Sequence, residues 1–220
     1  MRHTGSLASG MSLRDLKQLI KTGEGTYLEF KRVISSPEKI AREICAFANT
    51  KGGNLLIGVD DDKTIVGVES YHEQEFLLEQ AAEKICTPHV KYTMEILPYF
   101  LRDIMLVRIK EAVIKPVSVQ TNKKDAPYVR RLDKSVRASK EVIHILRNES
   151  SSEGVTFEFG HNERLLLRYL NEYERITVKE FSDLVNVSNR VASKILVDLV
   201  SAGVIRLFSQ DKRDYFTLSQ

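Results

Sequence analysis

The sequence predicts an α+β fold in two parts: a mixed-sheet domain over residues 12–148, and a small helical domain closed by a two-stranded hairpin over 158–220, with a linker at 149–157 between them. Three observations lead to this reading. Apolar residues switch repeatedly between helix and strand periods up to about residue 147, then keep helical spacing until a final pair of strand-like runs. Between the two regimes, Asn148 to Gly154 carries three consecutive serines and little apolar content, the composition of a linker. At 220 residues the chain is long enough for a smaller module appended to a larger one, each with its own core.

Leu13 to Lys21 has apolar residues at helical spacing and Gly23 closes it. Tyr27 to Val33 then alternates like a strand, with Leu28 and Phe30 on one face and Tyr27, Glu29 and Lys31 on the other. Pro37 suits the first turn of a second helix whose stripe Ile40, Ile44 and Phe47 packs inward, ending near Asn49 and Thr50 before Gly52 and Gly53. Asn54 to Val59 is a nearly unbroken apolar run of buried-strand length, and Asp60 to Asp62 turns it into a hairpin partner at Thr64 to Val68. A third helix is expected over Glu73 to Cys86, stopped by Pro88. Strands follow around Tyr92 to Ile96, Ile104 to Ile109, Val117 to Gln120 and Tyr128 to Leu132, and a helix from about Lys140 to Arg147 finishes the domain.

Beyond the linker, Glu163 to Tyr173 places Leu166, Leu167 and Leu170 on one face, Val178 to Val185 makes a short helix, and Ser188 caps a longer one running to Ala202. Gly203 sits where a left-handed terminating residue is wanted; Val204 to Phe208 and Tyr215 to Leu218 then pair around a charged turn.

Composition narrows the function classes. No stretch approaches the roughly 18 consecutive apolar residues of a membrane helix, and Met1 to Ser12 lacks the apolar run of a secretory signal. Cys45 and Cys86 lie among apolar helical neighbours, as reduced core thiols do, so a soluble cytoplasmic protein is expected. The formal net charge of +3 conceals a local excess: Lys123, Lys124, Arg130, Arg131, Lys134, Arg137 and Lys140 are opposed only by Asp125 and Asp133. Such a segment is the footprint of a phosphate-binding surface, and equally of a solvated basic face.

In the last long helix, Ala192, Ile195, Leu196 and Leu199 point inward and leave Asn189, Arg190, Ser193 and Lys194 outward on its first turns. A recognition helix directs such N-terminal residues at base edges, while Lys212 and Arg213 on the hairpin can follow the adjacent backbone. The run from Asn186 to Ile205 resembles the winged-helix regulator modules of bacteria over the last quarter to third of the chain. DNA contact is what that resemblance implies; dimerisation or protein docking is the alternative use of such a module, and Asp183 and Asp198 repel phosphate if they face the groove.

Four motifs lie in order across the first domain: Glu24-Gly-Thr-Tyr-Leu-Glu-Phe-Lys31, Ala46-Phe-Ala-Asn-Thr-Lys-Gly-Gly53, Leu55-Leu-Ile-Gly-Val-Asp-Asp61, and Tyr128-Val-Arg130 ahead of Ser139. Together they resemble the Alba-like DNA-binding domain of bacteria and archaea, which is related to the Schlafen core and was once called a divergent AAA ATPase domain. The resemblance implies an α+β domain with nucleic-acid associations, often followed by a winged helix. ATP is not expected: in Gly58 to Thr64 the second glycine of a phosphate loop is replaced by Asp62, and three carboxylates repel a triphosphate. Gly52 and Gly53 read as a tight turn ahead of a phosphate contact. Schlafen-type nucleases use two glutamates and an aspartate, and the positions that match are Glu24, Glu29 and Asp61, with Asp60 adjacent; converging carboxylates could hold Mg²⁺ or Mn²⁺ and activate water. His89 three residues after Cys86 makes no zinc site, because no second pair follows at finger spacing. Ser135 and Ser139 have no marked histidine and carboxylate partners, so capping and phosphate contact are expected of them.

The leading expectation is a nucleic-acid-binding protein, DNA ahead of RNA, acting as a transcriptional regulator without a cofactor. Lys31, Lys123, Lys124, Arg130, Arg131, Lys134 and Arg137 are its expected phosphate contacts in the first domain, joined by Asn189, Arg190, Ser193, Lys194, Lys212 and Arg213 in the second. A metal-dependent nuclease centred on Glu24, Glu29 and Asp61 is the alternative, with binding expected ahead of catalysis, and a protein-interaction scaffold is the third reading. A homo-oligomer, a dimer first, is expected because the Schlafen core holds two such lobes in one chain and winged helices often read paired half-sites.

Overall fold

The computed structural model describes residues 10–121, 125–151, 159–210 and 213–219. The chain divides into two compact units, one ending at Ala138 and one beginning at Ser139.

The N-terminal unit is built on a four-stranded sheet. Its elements in order are α1 (Leu13–Thr22), β1 (Leu28–Lys31), α2 (Pro37–Asn49), β2 (Gly53–Ile57), α3 (Tyr71–Glu79), β3 (Cys86–Thr87), β4 (Tyr92–Tyr99), β5 (Arg102–Ile109), β6 (Ser118–Val119), β7 (Tyr128–Arg131) and β8 (Lys134–Arg137). The sheet runs β1-β2-β5-β4, with β1 and β2 parallel and the other neighbours antiparallel. Because side chains alternate along a strand, the sheet has two apolar faces. Leu56, Ile104 and Leu106 meet Leu16 and Ile20 of α1, while Leu55, Ile57, Met105 and Val107 meet Ile40, Ile44 and Phe47 of α2. This double burial explains why β2 reads as an unbroken apolar run.

Local signals set the helix ends. Ser12 and Asp15 form a reciprocal capping box on α1, and Ser36 caps α2 ahead of Pro37. Asn49, read only as a helix end, has a larger part: its side chain amide donates to Val117 O at 2.8 Å and Tyr128 O at 2.9 Å and accepts from Val117 N at 2.7 Å. The end of α2 thereby holds the segments leading into β6 and β7. At Gly52 φ is +72°, and a Cβ on Gly53 would lie 2.2 Å from the Phe47 ring, so this pair serves a tight turn and a close approach.

Three expectations are corrected. Thr64 to Val68 does not form a strand beside β2, because Gly58 and Gly67 adopt positive φ and Gly58 O accepts from both Val66 N and Gly67 N, bending the chain into isolated bridges. The third helix changes after Glu79 into a π-helical turn over Gln80–Ile85, with Ala81 and Ala82 fully buried. After Tyr128–Arg131 the chain turns back at once into β8, which the polar run Lys134 to Arg137 did not announce; Leu132, not a glycine, takes the positive φ of the turn.

The C-terminal unit holds α4 (Lys140–Glu149), α5 (His161–Tyr173), α6 (Val178–Leu184), α7 (Asn189–Ser201), β9 (Ile205–Gln210) and β10 (Arg213–Leu218). Leu166, Leu170, Phe181, Ala192, Leu196, Leu199 and Phe216 form its core, and β9 and β10 pair as an antiparallel hairpin. Helix α4 falls in this unit and not at the end of the first domain, where its position before the serine-rich stretch had suggested: it packs on α7.

Candidate functional site

The β7–β8 hairpin lies against α2, and register places Arg130 opposite Ser135 and Arg131 opposite Lys134. Alternation therefore sends Arg130 inward. Its guanidinium is fully buried: Nη1 donates to Glu43 Oε2 at 2.9 Å and Ser135 Oγ at 3.0 Å, and Nη2 donates to Gly25 O at 2.7 Å and Glu29 Oε2 at 3.0 Å. The group also sits 4.7 Å from the centroid of the Phe47 ring. Ser135 completes the network by donating to Glu43, and Lys31 donates to the other oxygen of Glu29. Two carboxylates thus meet two cations. Arg130 Nε is the buried side-chain polar atom left without a partner among the described residues.

This geometry overturns several site expectations. Arg130 cannot reach a phosphate, because the protein's own carboxylates surround it. Lys31 is spoken for by Glu29 and by Phe30 O at 2.9 Å. Glu29 is buried at 7% exposure, because the face of β1 opposite Phe30 is covered by the hairpin instead of water. Lys123, Lys124 and Lys212 lie outside the described residues.

The acidic trio does not assemble for metal. Glu29 has both oxygens engaged by cations, Glu24 accepts from Phe30 N at 2.8 Å, and Asp61 is exposed on a turn, its N–H bound to Asp60 Oδ1 at 3.0 Å. Asp60 is paired with Arg32 at 3.0 Å. Among the described residues no three His, Cys, Asp or Glu side chains are grouped to hold a metal ion, so these residues as arranged do not fit Mg²⁺ or Mn²⁺. Burial raises the Glu24 carboxyl above its ordinary range against the opposing Phe30 N–H, and the negative charges of Glu29 and Asp61 raise it further. Burial likewise pushes the Cys45 thiol up to about 12, which suits an inert core group.

The hairpin's outer surface is different. Lys134 is exposed, and Arg131, partly exposed, stands directly across from it on the other face from Arg130; Arg137, also exposed, pairs with Tyr128 at the far end of the hairpin, on the face of Arg130 and Ser135. In the C-terminal unit Asn189, Arg190 and Lys194 are exposed on the first turns of α7, and Arg213 is exposed at the start of β10. Ser193 is not available as expected: it is buried, and its hydroxyl donates to Glu141 Oε1 at 2.9 Å.

Residues that the sequence reading missed are Glu43, Glu141 and the pairing role of Ser135. Glu43 carried a usable signal, standing three residues after Ile40 and four before Phe47, on the flank of the stripe that α2 buries.

A family model described as Schlafen, AlbA_2 matches residues 24–139, more than half of the chain and a range that contains the whole Arg130 network. Two solved structures are similar. One is the N-terminal domain of a RecG-related protein from Nitrosomonas europaea, named for an ATP-dependent DNA helicase, at 22% identity and a TM-score of 0.44, over 69% of this chain and 97% of that one. The other is the DIP2311 protein from Corynebacterium diphtheriae, at 14% identity and a TM-score of 0.45, over 69% of this chain and 36% of that one. No helix among the described residues is long and apolar enough to cross a membrane. From Glu24 at the mouth of the network to Ser139 at the cap of α4, the chain belongs to the Schlafen, AlbA_2 family, with the nucleic-acid-related function that membership carries.

Proposed function

We propose that the chain binds nucleic acid through the exposed cations of the β7–β8 hairpin, and that its C-terminal unit is a winged helix with which it acts on duplex DNA as a transcriptional regulator. The observation that carries the reading is the sorting of charge on one hairpin. Arg130 is neutralised inside by Glu29 and Glu43, whereas Lys134 and Arg137 face solvent. Asn189, Arg190 and Lys194 on α7, with Arg213 on β10, supply a second exposed set of polar and cationic groups.

Binding of this kind is salt-sensitive, with a log–log slope of about −0.9 per phosphate neutralised on B-DNA. Titrating a labelled duplex at several salt concentrations, we expect Lys134→Gln with Arg137→Gln to weaken binding and flatten the slope by up to about two, with the fold intact by circular dichroism. An unchanged slope removes the hairpin from the interface. Failure of the parent chain to bind duplex or single strands at low salt favours the protein-interaction reading instead. No nuclease step is derived, because Glu29 is held by Lys31 and Arg130 and Glu24 accepts from the Phe30 N–H.

A further inference from the structure

Helix α7 is buried along two rows. Ala192, Leu196 and Leu199 belong to the core, while a second row, Ser193, Val197 and Ser201, is spaced by four residues and lies outside that core. In a free three-helix unit this row faces water. Here Ser193 and Val197 are 8% and 4% exposed, because α4 packs on α7. Glu141, at the start of α4, accepts from the Ser193 hydroxyl at 2.9 Å, and Asn148, near its end, donates to Ser201 Oγ at 2.9 Å. Leu146 is buried between these contacts at 5% exposure. Beside the seam, a cleft of about 1130 Å³ is lined by Lys140, His144, Arg190 and Lys194.

The major groove is ~12 Å wide and admits one helix with its side chains. A second helix packed alongside, with axes ~8–10 Å apart, makes a pair too broad to enter. Glu141 adds a carboxylate on the row that would meet the groove floor. We propose that α4 is an intramolecular cover on the DNA-facing row of α7, and that duplex DNA and α4 compete for that row. This rests on reading the C-terminal unit as a winged helix. Among the described residues two side-chain hydrogen bonds tie α4 to α7, and the core of Leu166, Phe181, Leu196 and Phe216 contains no residue of α4.

The test uses the full chain carrying Lys134→Gln and Arg137→Gln, so that residual affinity for a labelled duplex reports on the C-terminal unit. In one form Asn148→Cys and Ser201→Cys are joined by a short bismaleimide, which fixes α4 in place; native Cys45 and Cys86 are buried and do not compete for the reagent. In two others the seam is loosened by Leu146→Asp or, more gently, by Glu141→Ala, with folding checked by circular dichroism. The linked form is expected to bind duplex at least tenfold more weakly than the same protein unlinked, and the loosened forms more tightly than their parent. Equal affinity of linked and unlinked forms overturns the proposal. So does failure of both loosened forms to gain affinity. Adding Arg190→Ala and Lys194→Ala to the loosened forms separates the two ideas: if these changes weaken binding while the link does nothing, the winged-helix reading stands and the cover fails; if neither matters, both fail.

Discussion

Arg130 lies in the most basic stretch of the chain, yet its chemistry is structural. A guanidinium taken fully out of water is tolerable only when hydrogen bonds and opposite charge compensate its desolvation, and four acceptors from three segments do so here. Removing it leaves Glu29 and Glu43 facing each other without their shared cation. Arg130→Met is therefore expected to cost about 3–5 kcal/mol in urea unfolding, and Arg130→Lys to recover little of that, because an ammonium lacks the planar fork that meets these acceptors. Glu24, at the edge of the same network, answers to pH in the opposite sense from a salt-bridged carboxylate. Its folded value is raised, so its contribution to stability is fully present below the unfolded value near 4.5 and is lost as pH rises through the folded one. Glu24→Gln keeps an oxygen for Phe30 N–H and cannot ionise. Against the parent it should show no gain at about pH 4 and a gain of at most about 1 kcal/mol at about pH 7, small because the group is partly exposed and screened. Equal differences at both pH values would remove the electrostatic account.

At the scale of elements, legibility followed periodicity. The runs that make α1, α2, β2 and β5 pack through apolar side chains at fixed spacing, and they appear within a residue or two of where that spacing puts them. What escaped was governed by partners distant in sequence. Lys134 to Arg137 becomes a strand through pairing with β7, its turn made by Leu132 at positive φ without the glycine that usually marks a hairpin. Glu29 alternates outward from Leu28 and Phe30 as expected, but what covers it arrives about a hundred residues later on β7. Ser193 is likewise outward from the core, and only α4 decides that outward is not exposed. The same long-range logic makes Gly53 a sensitive position. An added Cβ meets the Phe47 ring, and that ring lies under the Arg130 guanidinium. Gly53→Ala should lower stability by about 1–3 kcal/mol as overpacking does, and in thermal melts combined with Arg130→Met the two losses should add to less than their sum, since both disturb one contact.

For the whole molecule, the small net charge of +3 sets a sharp condition on any polyanion reading. With Lys and Arg only slightly in excess of Asp and Glu, long-range attraction of the protein as a body is weak, and physiological salt screens it within about 8 Å. Binding must then come from cations gathered where a phosphate backbone can touch several at once. Four exposed cations fall in two places, Lys134 and Arg137 at the two ends of β8 and Arg190 and Lys194 on one side of α7. Replacing all four by Gln makes the chain slightly acidic. So does replacing Lys17, Lys39, Lys91 and Lys110, which are equally exposed but spread over α1, α2 and the flanks of β4 and β5. Net charge is the same in both variants and only the placement differs. Duplex titrations at several salt concentrations should show the first variant losing most of the salt dependence, up to about 3.6 in slope when both pairs are engaged, and the second keeping the parent slope. Equal losses in the two would mean that the molecule is held by its average charge, and neither the hairpin nor α7 would then be an interface.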